Sequence, residues 1–195
     1  QPVTHEVGER ISWTLRPPVS KTKDNWQVKR QNMQDVCRNC HDQGFIDGHY
    51  AQYDGLVNMY NEKFAKPAGR LHKIAKDKGL GDGTASFSNK YEWIYWEIWH
   101  HEGRRARHGA SMNGPDYTWW HGIYDVAKHT YFKWIPELKE AVMKKDGNEE
   151  FATAMLDKYF KPIEGHAWYF EGMSKEAIDK VRRGFEERYG KGALK

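Results

Sequence analysis

The sequence predicts a mainly α-helical protein, and three observations support that class. Apolar side chains recur at spacings of three and four residues over most of the chain after residue 48, the pattern of helices with one buried face. Neither a strand hairpin nor an internal repeat is evident. Glycine, proline and asparagine stand at the ends of the periodic segments, where helices begin and stop. We divide the chain into residues 1–47 and a long-helix region, 48–195, within a single domain.

The first region is predicted to be an extended arm followed by a helix. Residues 1–36 lack clear periodicity, and Pro17-Pro18 forbids a regular helix around it. His5 lies in this arm. A helix is expected to run from about Asn25 into a pair of cysteines at positions 37 and 40.

The second region begins with a helix that a proline is expected to interrupt. Its apolar stripe consists of Tyr53, Leu56, Val57, Tyr60 and Phe64. Pro67 interrupts the pattern, which resumes and stops at Gly79, a residue typical of helix C-termini. A loop is predicted from Gly79 to Ser88.

The next helix has the clearest periodicity, through Tyr91, Ile94, Tyr95, Ile98 and Trp99. The face through Ile94 and Ile98 continues to His101, Arg105 and His108. A face that changes from apolar residues to histidine and arginine is expected to meet a polar neighbour. Gly114-Pro115 ends this helix.

Three more helices are predicted in the last third of the chain. Pro115 suits the first turn of a helix whose stripe is Tyr117, Trp120, His121, Tyr124, Ala127, Tyr131 and Trp134; Pro136 is expected to kink it and Gly147 to end it.

Asn148 caps a shorter helix containing Phe151, Met155, Leu156, Tyr159 and Phe160. Residues 161–173 are expected to be a loop. Ser174 caps an amphipathic helix through Ile178, Val181 and Phe185, and the charged tail after Gly190 is expected to fray.

The segment Cys37-Arg38-Asn39-Cys40-His41 contains both cysteines of the chain and carries its clearest chemical signal. Cys-x-x-Cys-His is the attachment pattern of a c-type haem, in which the thiols form thioethers and the histidine binds iron. A zinc knuckle would need a second pair of ligands, and a thioredoxin-like pair would follow a strand in a βαβ unit. The sequence therefore predicts that Cys37 and Cys40 hold haem c and that His41 is its proximal ligand.

Composition limits the classes of partner. Lys and Arg total 31 against 27 acidic residues, and the excess is too small and too interspersed to indicate nucleic acid. No apolar run reaches the roughly 18 residues of a membrane span. Aromatic residues make up 14%, with nine tryptophans, which fits either an aromatic core or, as we favour, a wall against flat porphyrins.

Because haem attaches to this motif in the periplasm or an equivalent compartment, we expect an exported protein that is processed or excised upstream of Gln1.

Among the ten histidines, three besides His41 are candidates for haem ligands. His108 follows Arg104 and Arg105, whose guanidinium groups suit haem propionates. His5 lies in an arm that offers no other reason for it, and His121 is on the aromatic face beside Tyr117. His49, His72, His100, His101, His129 and His166 are given no role above background. For Tyr117 itself, spacing alone favours ordinary packing over redox or covalent chemistry.

Several blocks in order along the chain carry a resemblance to a known family. They cover about two-thirds of the chain and are Thr4-His5-Glu6, Ser12-Trp13-Thr14-Leu15-Arg16-Pro17, Cys37 to His41, Gly48-His49-Tyr50, Tyr60 to Pro67, His100 to Ala110, Gly114-Pro115-Asp116-Tyr117 and Trp120-His121-Gly122. In these blocks the chain resembles the C-terminal portion of the octahaem hydroxylamine oxidoreductases, a family that includes the hydrazine dehydrogenases of anammox bacteria. Beyond about residue 136 only a helical pattern agrees.

This resemblance implies a multihaem cytochrome c type of fold and an enzymatic context. Family members carry eight c-type haems per chain, form homotrimers, dehydrogenate small nitrogen compounds and pass electrons to cytochrome partners in the periplasm or the anammoxosome. Their catalytic haem is covalently linked to a tyrosine of a neighbouring subunit, and Tyr117 matches that tyrosine. His5 and His108 occupy positions analogous to distal haem ligands in the related pentahaem nitrite reductases. His121 matches a family position to which the resemblance assigns no role.

The chain departs from the family in the number of its haem motifs, one instead of eight. The resemblance therefore implies that this sequence acts only with a remaining multihaem portion or partner subunit, which would hold the catalytic haem and the cysteines of the haems that His5 and His108 ligate. The alternatives left open are a stand-alone monohaem electron carrier and a structural subunit.

Overall fold

The computed structural model describes residues 26–79, 86–146 and 148–192. In these ranges the chain is mainly helical and contains no strand, which confirms the predicted all-α class. The extended arm with His5 and the helix end at Gly147 lie outside the described residues. The first described helix, α1 (Trp26–Cys37), ends in the cysteine motif as expected.

A long helical rod follows the motif and is made of α2 (Gln43–Tyr60), a π-helical segment π1 (Asn61–Ala65) and α3 (Lys66–Asp77). Pro67 was expected to interrupt it, but the backbone stays helical through the junction. Pro67 lies in the first turn of α3, and as proline it has no N–H to donate to the carbonyl of Lys63 four residues earlier. The His166 side chain donates to that carbonyl from Nε2 at 2.6 Å instead. The rod ends as predicted at Gly79, which has a positive φ of 64°.

A second rod turns back on itself at Gly114. Its first arm is α4 (Lys90–Trp96), π2 (Glu97–Glu102) and α5 (Gly103–Ser111). Its second arm is π3 (Asp116–Ile123), α6 (Tyr124–His129), π4 (Thr130–Trp134) and α7 (Ile135–Asp146). The chain therefore turns at Gly114-Pro115 as predicted, while helical backbone continues through Pro136 inside α7.

The π-helical segments correct the predicted helical faces. Ile94 and Ile98 are buried, but the buried face then continues to Glu102, Ala106 and Ala110, whereas His101, Arg105 and His108 were expected to follow. A π turn contains more residues than an α turn, so π2 rotates the helix that follows it. Likewise the apolar stripe that begins at Tyr117 is not one continuous buried face. Tyr117, Trp120 and Tyr124 are exposed, whereas Tyr131 and Trp134 are buried.

Two groups of buried side chains hold the rods together. The larger one lies among α3, α4, π4, α7 and α8 (Glu149–Tyr159) and includes Leu71, Tyr91, Trp134, Leu138 and Phe160. The smaller one joins α2 to α5 through Tyr53, Leu56, Val57, Ala106 and Ala110. The smaller group fixes the helix that follows the cysteine motif against the helix that carries Arg104, Arg105 and His108.

The C-terminal elements agree with the sequence except in one segment. Asn148 caps α8 and Ser174 caps α10 (Lys175–Tyr189), each by accepting a backbone N–H three residues later. The predicted loop 161–173 contains a short helix, α9 (Ala167–Glu171), whose Tyr169 and Phe170 pack against the larger core. No residue of α10 is buried, and its apolar residues Ile178, Val181 and Phe185 are exposed. Among the described helices, none combines the length and apolar character that a membrane span requires.

Candidate functional site

The cysteine motif forms one tight helical turn between α1 and α2. The backbone N–H groups of Cys40 and His41 both donate to the Cys37 carbonyl, at 3.1 and 2.9 Å. Asp42 then caps α2 by accepting the Phe45 N–H at 2.8 Å. Arg30 holds α1 against α2 with two hydrogen bonds to Asp54, at 2.8 and 2.9 Å. Two cysteines three residues apart on a helical turn lie on the same side of the helix.

The residues of this turn fit a covalently attached haem. Both cysteines are free thiols, Cys40 exposed and Cys37 half-buried. Val36 and Phe45 beside them are large apolar side chains left exposed, at 62% and 51%. The His41 ring stacks on Phe45 with centroids 4.3 Å apart. Accessible thiols, an exposed imidazole and uncovered apolar surface are the donors and packing surface that a flat porphyrin needs.

A groove of about 440 Å³ brings together four of the residues that the sequence singled out, Arg104, Arg105, His108 and Tyr117. It lies between α5, π2 and the start of π3, and its remaining lining residues are His100, His101, Gly109, Met112 and Gly114. The volume falls within the range of small-molecule and cofactor sites. Residues 37, 40 and 41 are not part of its lining.

The two arginines of the groove contact neighbouring histidines, and Arg105 also contacts the second arm of the rod. Arg105 contacts His101 Nδ1 at 2.8 Å, the His121 carbonyl at 3.5 Å and the Asp125 carboxylate at 3.8 Å. Arg104 Nη1 lies 3.4 Å from His100 Nε2. Burial, followed by the charge of Arg104, lowers the pKa of His100. Two guanidinium groups among imidazoles suit a carboxylate or another anion, and arginine provides the geometry for two parallel hydrogen bonds.

Tyr117 stands at the mouth of the groove with 57% of its surface exposed. Its helix approaches α5 so closely that only glycine fits at two crossing points. A Cβ on Gly109 would lie 2.5 Å from the Thr118 nitrogen, and one on Gly122 would lie 2.6 Å from the Ala106 Cα. These contacts fix the backbone of Tyr117 while leaving its side chain open to another molecule.

Three histidines, His5, His108 and His121, were predicted from the sequence as further haem ligands. His121 is exposed and does not line the groove; its Nε2 lies 3.6 Å from Asp116 and its ring 5.7 Å from that of Tyr117. His108 lines the groove as described. His5 lies outside the described residues. The ligand roles assigned to these three histidines stay predictions.

Sequence reasoning missed some residues of the groove and a second cluster. His100 and His101, which were given no ligand role, also line the groove. A second cluster joins Glu97 and Glu102 of π2 with His129 of α6. Because Glu97 and Glu102 are five residues apart, α-helical spacing would separate them by about 140° around the axis. No signal at the usual helical periods could have paired them.

With this geometry established, we compared the chain with protein-family models, with curated proteins and with solved structures, and none of the three comparisons gave a match. The function of this chain therefore has to be argued from its own residues and from their arrangement.

Proposed function

We propose that this chain is a haem-bearing part of a multihaem c-type oxidoreductase that dehydrogenates hydroxylamine or hydrazine. In this proposal Cys37 and Cys40 attach one haem, and His41 binds its iron. The groove of Arg104, Arg105, His108 and Tyr117 faces a further haem held by the remaining multihaem portion or a partner subunit. The observation that carries the proposal is the convergence of these four residues, chosen from sequence, in one groove.

Each of these four groove residues has a proposed role that is consistent with its position. Arg104 and Arg105 would neutralise carboxylates of a bound cofactor, since both guanidinium groups line the groove beside imidazoles. His108 would offer an imidazole nitrogen to iron. Tyr117, more than half exposed, would reach a haem of a neighbouring chain and form the covalent link that the family resemblance implies. Bound haem would supply the electron transfer, while these side chains would orient and anchor it.

A partner is also consistent with the uncovered aromatic side chains on the arm that follows Tyr117. Trp120, Tyr124 and Phe132 are each more than half exposed. Exposed aromatic patches of this kind are typical of interfaces between proteins. The proposal therefore includes assembly with multihaem subunits, a homotrimer by family analogy, and a cytochrome acceptor in the periplasm or an equivalent compartment.

The experiment is to produce the chain in a host with c-type cytochrome maturation, together with its multihaem partner where one is found, and to analyse it by mass spectrometry. We expect one haem on the peptide containing Cys37 and Cys40, its loss in the C37S/C40S variant, and a cross-linked haem on the Tyr117 peptide that Y117F abolishes. H49Q, at a position that does not line the groove, is the control and should keep both. An unmodified Tyr117 in a fully haem-loaded complex would refute the cross-link.

The second candidate is a stand-alone monohaem electron carrier, which the single Cys-x-x-Cys-His motif favours. It predicts a monomer with one haem and no dehydrogenase activity. Sedimentation of the haem-loaded chain separates the two candidates, because the first requires a larger multihaem complex and the second does not.

A further inference from the structure

Glu97, Glu102 and His129 form a cluster that neither the haem motif nor the groove uses. One donor atom from each lies within 4.8 Å of the other two. The two glutamates belong to π2 and the histidine ends α6, so the cluster joins two helices that run in opposite directions. Glu102 is only 3% exposed, and the His129 side chain 15%.

The buried donor atoms of this cluster lack the hydrogen bonds that such atoms normally make. His129 Nδ1 lies 2.9 Å from Glu102 Oε1, but the pair does not meet hydrogen-bond geometry, and Nδ1 has no other hydrogen-bond partner among the described residues. Glu102 Oε2 is likewise buried without a hydrogen-bond partner in that part of the chain. Leaving a buried polar atom unsatisfied costs about 1–3 kcal/mol, and more for a charged group. A Glu102–His129 ion pair alone would leave Glu102 Oε2 buried without a hydrogen-bond partner.

The π-helical backbone is what brings the two carboxylates together. A π turn closes a hydrogen bond between residues five apart, which is the spacing of Glu97 and Glu102. Wide turns of this kind occur frequently at functional sites. Here the wide turn directs two negative side chains toward one imidazole.

We propose that Glu97, Glu102 and His129 bind a divalent first-row metal ion of the manganese or zinc class. Carboxylate oxygen and imidazole nitrogen are ligands for these ions, at about 2.0–2.2 Å from the metal. Two such ligands at right angles, as around an octahedral ion, lie about 3.0 Å apart, close to the 2.9 Å between Glu102 Oε1 and His129 Nδ1. If both Glu102 oxygens bind the ion, it would also satisfy Oε2. It would tie π2, which also carries His100 and His101 of the groove, to α6.

This site needs no residue outside the described chain, and it does not depend on the haem proposal. Mn²⁺ is the probe, because it prefers oxygen and nitrogen ligands over the thiolates of Cys37 and Cys40. We expect the purified chain to quench the solution EPR signal of free Mn²⁺ with one site per chain. E102Q and H129Q, which keep side-chain volume closely, should each weaken binding by roughly tenfold or more, since losing even an outer partner of a metal ligand costs about 10–100-fold.

Matched variants keep the test decisive. E97Q changes a half-buried residue, so we expect this variant to fold as the unmodified chain does. It should also bind Mn²⁺ more weakly. E92Q replaces a buried glutamate of α4 outside the cluster and should bind Mn²⁺ as the unmodified chain does. Absence of Mn²⁺ binding by a chain whose helical circular dichroism is intact would overturn the proposal, as would equal affinity in E102Q, H129Q and the unmodified chain.

Discussion

At the scale of single residues, two histidines, one half-buried and one buried, have pKa values lowered by burial. His72 stacks on Tyr95 with centroids 4.2 Å apart, and burial lowers its pKa to about 4 from an ordinary value of 6.5. Burial also lowers the pKa of His166, whose Nδ1 lies 2.5 Å from the Tyr131 hydroxyl. Because Nε2 of His166 donates to the Lys63 carbonyl, Nδ1 is the acceptor for Tyr131 in the neutral ring. Both rings are therefore neutral in the folded protein near pH 7.

The free energy of unfolding should consequently fall as the pH drops from about 6.5 toward 4. In that window the unfolded chain binds a proton at His72, whereas the folded chain does so only near pH 4. The lowered pKa of His166 acts in the same direction, so acid favours unfolding. H72F keeps an aromatic ring on Tyr95 and removes the titration, so we expect a smaller loss of stability between neutral pH and pH 4.5. Urea denaturation followed over this range by circular dichroism is the measurement. H121Q removes an exposed histidine and should keep the original slope; an unchanged slope in H72F would contradict the explanation.

At the scale of elements, the wide π turns decide which side chains face the groove. Four π segments interrupt the described helices, and two of them, π2 and π3, carry groove residues. The helices α5 and π3 meet backbone to backbone at Gly109 and Gly122, where no side chain fits. The orientation of Tyr117 therefore depends on the close packing at these two glycines.

Replacing either glycine should destabilise the crossing. In G109A the new methyl would lie 2.5 Å from the Thr118 nitrogen, and in G122A 2.6 Å from the Ala106 Cα, both backbone atoms that cannot move freely. We expect each change to lower the free energy of unfolding by about 1–3 kcal/mol, the usual cost of overpacking. The matched control is G55A in α2, where nothing lies within 4 Å; it should raise stability by roughly 0.5–1 kcal/mol. Urea denaturation measures all three, and equal effects at the three positions would refute the close crossing.

At the scale of the whole molecule, the last helix contributes no side chain to either packed core. The larger core includes α8 through Ala152, Met155 and Leu156. In contrast, α10 contributes no buried residue, although its sequence is amphipathic. Its exposed apolar side chains resemble those of a helix that packs against another protein.

Removing residues 174–195 should therefore leave the rest of the chain folded. We expect the free energy of unfolding to change by no more than about 0.5 kcal/mol, as for surface changes away from the core. Thermal and urea denaturation of the shortened chain test this. Removing residues 148–195 instead takes away α8 and should abolish cooperative unfolding. Loss of cooperativity in the shorter truncation would show that α10 belongs to the core.

Local sequence rules determined the all-α class, the caps at Asn148 and Ser174 and the chain reversal at Gly114-Pro115, because periodicity and capping act within a few residues. They also selected Arg104, Arg105 and His108, whereas Tyr117 was selected by the family resemblance. The structure places all four around one groove; their roles, like those of Cys37, Cys40 and His41, are predictions. Only the tertiary structure decided the register of the helices, because a π turn has no distinct hydrophobic period. It thereby buried Glu102 where His101 was expected, turned Trp120 outward and brought Glu97, Glu102 and His129 together. Those outcomes depend on the π turns and on how the two arms of the rod pack against each other, and packing between distant segments leaves no pattern along the chain.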